Sequence, residues 1–282
     1  AGGAWRHDPP IKSEADLERL VVPAVVHDQA ETDRRLRRAA ELFDGVMPVR
    51  LVCDPPIGLN LAHTAAELIG LDNLLLQLAL NPDMVHTLMA FLQTGVLKVC
   101  RETEATGLLS ENNTGEMYES DSFKTAGPDE PVRIADRWAT CNSQELDPVS
   151  PAMWEEFELE YERPLLEMHG RTAYGCCENL SHKIDGVMSI ANLRIFVSSA
   201  WTDLVKVIEA VGDRYTIMWR QKASDVVYGD LDAQARHLDE GLRQSRGLHR
   251  QVVLRELQTL NGDLQRLHKW TRLAIEAAER HA

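Results

Sequence analysis

The stretch "LRIFVSSAWTDLVKVIEAVGDRYTIMWR", residues 193–220, decides the fold. It begins with a β-branched and aromatic run, "LRIFVSS", and ends with another, "RYTIMWR". Between them "WTDLVKVIEAVG" repeats its apolar residues at helical spacing and closes on Gly212. Strand, helix and strand in this order require a crossover, so the two strands lie parallel in one sheet.

The same rhythm extends outward. Strand-like runs stand at "MPVRLVCD" (47–54), "GLLSEN" (107–112), "RWATCNSQEL" (137–146), "RTAYGCCEN" (171–179) and "RQVVLRELQT" (250–259), making seven in all. Helical stretches separate most of them. "SPAMWEEFELEYERPLLEMHG" (150–170) has Ser150 as cap, proline at the first helical position and a kink expected at Pro164. In it Met153, Trp154, Phe157, Tyr161, Leu165 and Met168 recur on one face expected to meet the sheet. This alternation predicts an α/β fold, a (β/α)8 TIM barrel, as a single domain over 1–282. The eighth strand is expected to be overlooked or missing with an N-terminal portion, since the chain opens without methionine. Residues 1–45 read as an extended and helical lead-in, and Ser13 with Asp16 makes a weak capping box. The polar region 110–135 reads as a loop over the strand ends. A doubly wound open sheet is the competitor, but no glycine-rich dinucleotide turn follows any strand.

The net charge of −14 disfavours a phosphate backbone as partner. "RRLRR" (34–38) and "RQSRGLHR" (243–250) are short, acid-flanked and expected to be solvated helix faces. No apolar run is long enough for a membrane span, and no signal peptide is visible. Five cysteines without framework spacing fit free thiols in the cytoplasm.

In a barrel, chemistry gathers at the C-terminal strand ends. Those ends carry Cys141, Asn142, Gln144 and Glu145; then Cys176, Cys177, Glu178 and Asn179; then Ser198, Ser199 and Trp201. They continue with Trp219, Gln221 and Lys222, and finally Glu256, Gln258, Thr259 and Asn261. Alternation along an extended strand puts Cys176 and Glu178 on one face and Cys177 on the other. A thiolate and a carboxylate so spaced can share a Zn²⁺. Equally, one cysteine is a small buried hydrophobe and Glu178 caps the next helix, or the two cysteines form a vicinal disulfide. Spacing alone leaves these alternatives open. His182 is expected to face solvent, and Lys222 to serve a salt bridge rather than a Schiff base. There is no Gly-x-Ser-x-Gly elbow for a serine triad.

Five segments together resemble the uroporphyrinogen decarboxylase superfamily, in its corrinoid- and thiol-dependent methyltransferase-like branch. They are "LIGLDNLLLQLALNPDMVHTLMAFL", "NSQELDPVSPAMWEEFELEYERPLLEMHG", "YGCCENLSHKID", "SSAWTDLVKVIEAVGDRYTIMW" and "LRELQTLNGDLQRLHKW". The resemblance runs in order over most of the chain from about residue 10. It implies the (β/α)8 barrel and a methyl transfer between a small molecule and a corrinoid on a separate protein, with zinc assistance. Cys176, Cys177 and Glu178 would hold the metal. Glu145, Glu178 and Glu256 would be catalytic, and Gln144, Trp201, Trp219 and Gln258 would line the substrate pocket. The branch's His-x-Cys pair is replaced by "YGCCEN", and no cysteine follows Cys177 to supply its distant thiolate. Two alternatives therefore accompany the first reading: a metal-free decarboxylase-like enzyme using carboxylates as acids, and a diverged, non-catalytic barrel that binds a ligand or a corrinoid protein.

Overall fold

The computed structural model describes residues 7–113, 127 and 130–282. The chain divides into two compact units, 1–138 with 168–170, and 139–167 with 171–282.

The first unit is helical. α1 (Gln29–Phe43) starts at Asp28, whose carboxylate accepts the Glu31 amide at 2.9 Å. Its arginines behave as a solvated face, with Arg34 and Arg35 paired to Glu31. Together they hold the Glu31 carboxyl down at about 2, Arg34 first. α2 (Leu61–Ile69), α3 (Leu71–Leu80) and α4 (Pro82–Ala105) bury Leu61, Ala65, Leu74, Leu88 and Val99. Asn81 caps α4, with Pro82 in its first turn where a missing N–H costs nothing.

Two expected strands are not strands. Residues 47–54 and 107–112 are irregular. Ser110 links them: its amide donates to the Cys53 carbonyl and its hydroxyl accepts the Cys53 amide. Leu51 and Val52 remain half exposed, so this β-branched run lacks the second face that would make a strand worthwhile. Most of the loop expected over 110–135 lies outside the described residues.

The second unit carries the sheet. β1 (Trp138–Cys141), β2 (Arg171–Tyr174), β3 (Leu193–Ser198), β4 (Thr216–Gln221) and β5 (Arg250–Leu254) lie side by side in chain order. β2 to β5 are parallel throughout, with registers such as Phe196 beside Ile217 and Trp219 beside Val252. The connections run through α5 (Pro151–Trp154) and α6 (Glu160–Glu167), α7 (Ile184–Met188), α8 (Leu204–Val211), and α9 (Ala223–Tyr228) with α10 (Leu231–Gln244). α11 (Gln265–Arg280) follows β5 and packs on α10.

Ser150 caps α5 as the sequence predicts, its hydroxyl accepting the Met153 amide at 3.2 Å. Between α5 and α6 the helix widens into a π turn, Glu155–Leu159. Pro164 sits one turn further on, and its ring excludes a normal bond to the Glu160 carbonyl, where the π turn ends. Trp154, Phe157 and Leu165 are buried as expected, whereas Met153, Tyr161 and Met168 are only half-buried. Two carboxylates the spacing did not flag, Glu158 and Glu162, are fully buried beside them.

Candidate active site

The two faces of β4 can be told apart by their partners. Trp219 is turned to the helical layer, its ring 5.0 Å from the His237 ring of α10 and against Gly241. Alternation then puts Arg220 on the opposite face and Gln221 back on the helical one.

On that opposite face, beyond the strand ends, four side chains converge. Arg220 Nη1 lies 3.5 Å from Cys176 Sγ and 3.6 Å from Glu256 Oε1. Cys177 Sγ donates to Glu256 Oε1 at 3.1 Å, and the two cysteine sulfurs are 3.4 Å apart as free thiols. Cys176 and Cys177 follow β2, Arg220 is in β4, and Glu256 follows β5. These contacts skip strands. In a flat sheet β2 and β5 would stand about 14 Å apart, three strand spacings. The loops that follow β2 and β5 therefore reach each other across β3 and β4.

Burial pushes the Cys177 thiol up to about 12, and the hydrogen bond to Glu256 and the neighbouring Cys176 add to the effect. Cys177 is therefore a protonated thiol at neutral pH, a proton holder rather than a nucleophile. Two backbone features aim the cluster. Gly175, just before the cysteines, has φ +116, and a Cβ there would lie 2.7 Å from the Val197 carbonyl oxygen. Glu256 itself adopts φ +60, an unusual conformation for a non-glycine residue.

Glu178 does not join the thiols. It is buried, with Oε1 accepting the Ser143 amide at 3.0 Å and Oε2 accepting the Cys176 amide at 2.9 Å. Its own carbonyl accepts the Ser199 hydroxyl at 2.7 Å. Glu178 thus ties the loop after β2 to those after β1 and β3. Among the described residues no group of three or more His, Cys, Asp or Glu side chains is disposed to hold a metal ion. The expected Cys176–Cys177–Glu178 zinc set lacks a free carboxylate, and the Arg220 guanidinium beside Cys176 Sγ opposes a dication there. The residues do not fit the zinc that the resemblance implies.

The remaining expected residues are dispersed. Glu145 is half-buried, and its charge acts on Glu158. Gln144 and Gln258 are exposed. Trp201 is 59% exposed, with Lys222 Nζ 4.7 Å over its ring. Lys222 pairs with Asp225 at 3.8 Å, and His182 faces solvent, both as expected.

A second polar group lies on the helical side of β1 and β2. Glu158 is 0% exposed, and neither carboxylate oxygen has a hydrogen-bond partner among the described residues. Burial, then the neighbouring Glu162, raise its pKa well above the carboxylate range. Cys141 and Tyr174, at the ends of β1 and β2, are raised by burial and by the same two carboxylates. A cation beside them, Lys183, donates to the Leu146 carbonyl at 2.7 Å and lies 5.4 Å from the Trp154 ring. Burial lowers its pKa. Arg220, Glu158, Glu162 and Lys183 escaped the sequence reading. The alternation of β4 relative to Trp219 could have found Arg220, but nothing in the spacing of "EEFELEYER" singles out Glu158 and Glu162.

Comparison with known proteins adds little to this geometry. No family model and no curated protein matches the chain. Among solved structures, a methyltransferase from Methanosarcina mazei aligns with a TM-score of 0.47 and 12% identity, over 91% of this chain and 67% of that one. Among the described residues, no helix is long and apolar enough to cross a membrane.

Proposed function

We propose that the chain is a methyltransferase-like enzyme of barrel architecture that acts on a small molecule at the C-terminal ends of its strands. A corrinoid carried by a separate protein would be the methyl partner. The observation that carries the proposal is the convergence of Cys176, Cys177, Arg220 and Glu256 from β2, β4 and β5. The ordered resemblance of five segments supports the methyl chemistry. In this reading Arg220 anchors an anionic group of the substrate, as a guanidinium on a carboxylate does. Glu256 takes the proton that a thiol, amine or hydroxyl acceptor sheds on methylation, and Cys177, already hydrogen-bonded to it, holds that carboxylate in place. Zinc has no part in the proposal, because the donor set does not fit it.

A second reading is favoured by the same Arg220 next to a protonated thiol. In a metal-free decarboxylase-like enzyme, Arg220 would hold the departing carboxylate and Cys177 or Glu256 would protonate the carbon left behind.

The test mixes the purified chain with methylcobalamin, as a probe for the corrinoid partner, and a panel of small acids bearing a thiol or amine. Methyl transfer to one acceptor, reduced at least ~100-fold in Arg220→Gln or Glu256→Gln, supports the first reading. Carbon dioxide release from a small polycarboxylate without corrinoid supports the second.

A further inference from the structure

On the helical side of β4, opposite the thiol cluster, a cavity of about 230 Å³ opens between β4, α9, α10 and α11. Two glutamines line it. Among the described residues, Gln221, 4% exposed, has no hydrogen-bond partner for its Nε2, and Gln234, 7% exposed, has none for its Oε1. The orientation of Gln234 is fixed, because its Nε2 donates to the Asp225 carbonyl and leaves Oε1 facing away. An unmet donor and an unmet acceptor therefore border one space; Val226, Leu238 and the Trp270 ring give it apolar walls, and Lys222, Asp225, Asp230 and His237 also line it.

Buried polar groups without partners are rare, and two on one cavity call for something that satisfies both. A flat, mostly apolar molecule with an N–H and a C=O on one edge would meet both amides at once and stack on Trp270. We propose that this cavity is a binding site for a small neutral ligand with a carboxamide or lactam edge. It is distinct from the thiol cluster, since Arg220 and Gln221 project to opposite faces of β4, and it does not depend on the reading of that cluster.

The experiment titrates the full chain with 2-pyridone and benzamide, using benzoate as the comparator, and follows binding by calorimetry and ligand-observed NMR. Benzoate has the size of benzamide but no donor, so it sets an acceptor against Gln234 Oε1. The lactam and the amide should bind saturably and at least ten times more tightly than benzoate. Both should weaken at least tenfold in Gln234→Leu. Ala233→Phe, which fills the cavity from α10, should do the same and serves if Gln234→Leu fails to fold. Absence of saturable binding at millimolar probe, equal affinity for benzoate, or binding unchanged in folded variants would overturn the assignment and leave the amides to water.

Discussion

Cys177 and Glu256 stand 79 residues apart in sequence, and the thiol of one donates to the carboxylate of the other at 3.1 Å. The contact joins the end of β2 to the end of β5 over two intervening strands. It puts a thiol whose ionisation is suppressed next to a carboxylate paired with Arg220.

The state of that thiol can be read directly. With its pKa up at about 12, Cys177 stays protonated at pH 8 and reacts slowly with iodoacetamide. Replacing Glu256 by Gln removes a neighbouring negative charge and a strong acceptor, so alkylation at Cys177 should accelerate. Peptide mapping after timed labelling measures this. Rapid labelling in the native protein, unchanged by the substitution, would show that the pair is not formed.

Glu178 is assigned to scaffolding rather than to metal. Glu178→Ala strips an acceptor from two backbone amides and should cost about 2–4 kcal/mol in urea unfolding. Glu178→Gln keeps one oxygen and should cost roughly half as much. A folded Glu178→Ala protein of native stability would contradict the role.

Gly175 tests the shape of the same loop. Alanine there combines a left-handed backbone with a Cβ pressed on the Val197 carbonyl, so Gly175→Ala should lose about 2–4 kcal/mol. It should also expose Cys177 to alkylation, because the turn that aims the pair at Glu256 is displaced.

Glu158 predicts a pH dependence of stability. Its folded pKa is raised by burial, so the native state keeps a proton that the unfolded chain releases above the ordinary value of 4.5. Stability therefore falls as pH rises from about 4.5 toward the raised value, by up to about 1.4 kcal/mol per pH unit. Lys183, with its pKa lowered, acts in the opposite sense, between its own folded value and 10.5. Denaturation between pH 5 and 8 should show the slope in the native sequence and a flatter profile in Glu158→Gln. Parallel profiles would mean that Glu158 is solvated after all.

The parallel sheet was legible because its strands are bracketed by helices whose caps and periodicity are strong. Asp203 opens α8, and "LRIFVSS" and "RYTIMWR" on either side pair as the alternation requires. "MPVRLVCD" misled because β propensity reflects a fit to a pleated, half-buried surface, and here no neighbouring strand among the described residues supplies one. At the site, strand-end position found Cys176, Cys177 and Glu256, and missed what each would face. Glu178 looked like a ligand because a carboxylate two residues from a thiol is metal-like spacing. Nothing in the sequence reveals that the Ser143 and Cys176 amides already occupy both of its oxygens. Glu158 and Glu162 were hidden by the company of other acids, since only the folded chain separates the two that turn inward from those that face water.

The most direct measurement is single-turnover methyl exchange with methylcobalamin as probe, comparing the native chain with Arg220→Gln and Glu256→Gln. The account predicts transfer to a small acid-bearing acceptor, reduced at least ~100-fold in both variants while the circular dichroism of the fold is retained. Transfer at the native rate in both folded variants would contradict it and move the chemistry away from the ends of β2, β4 and β5.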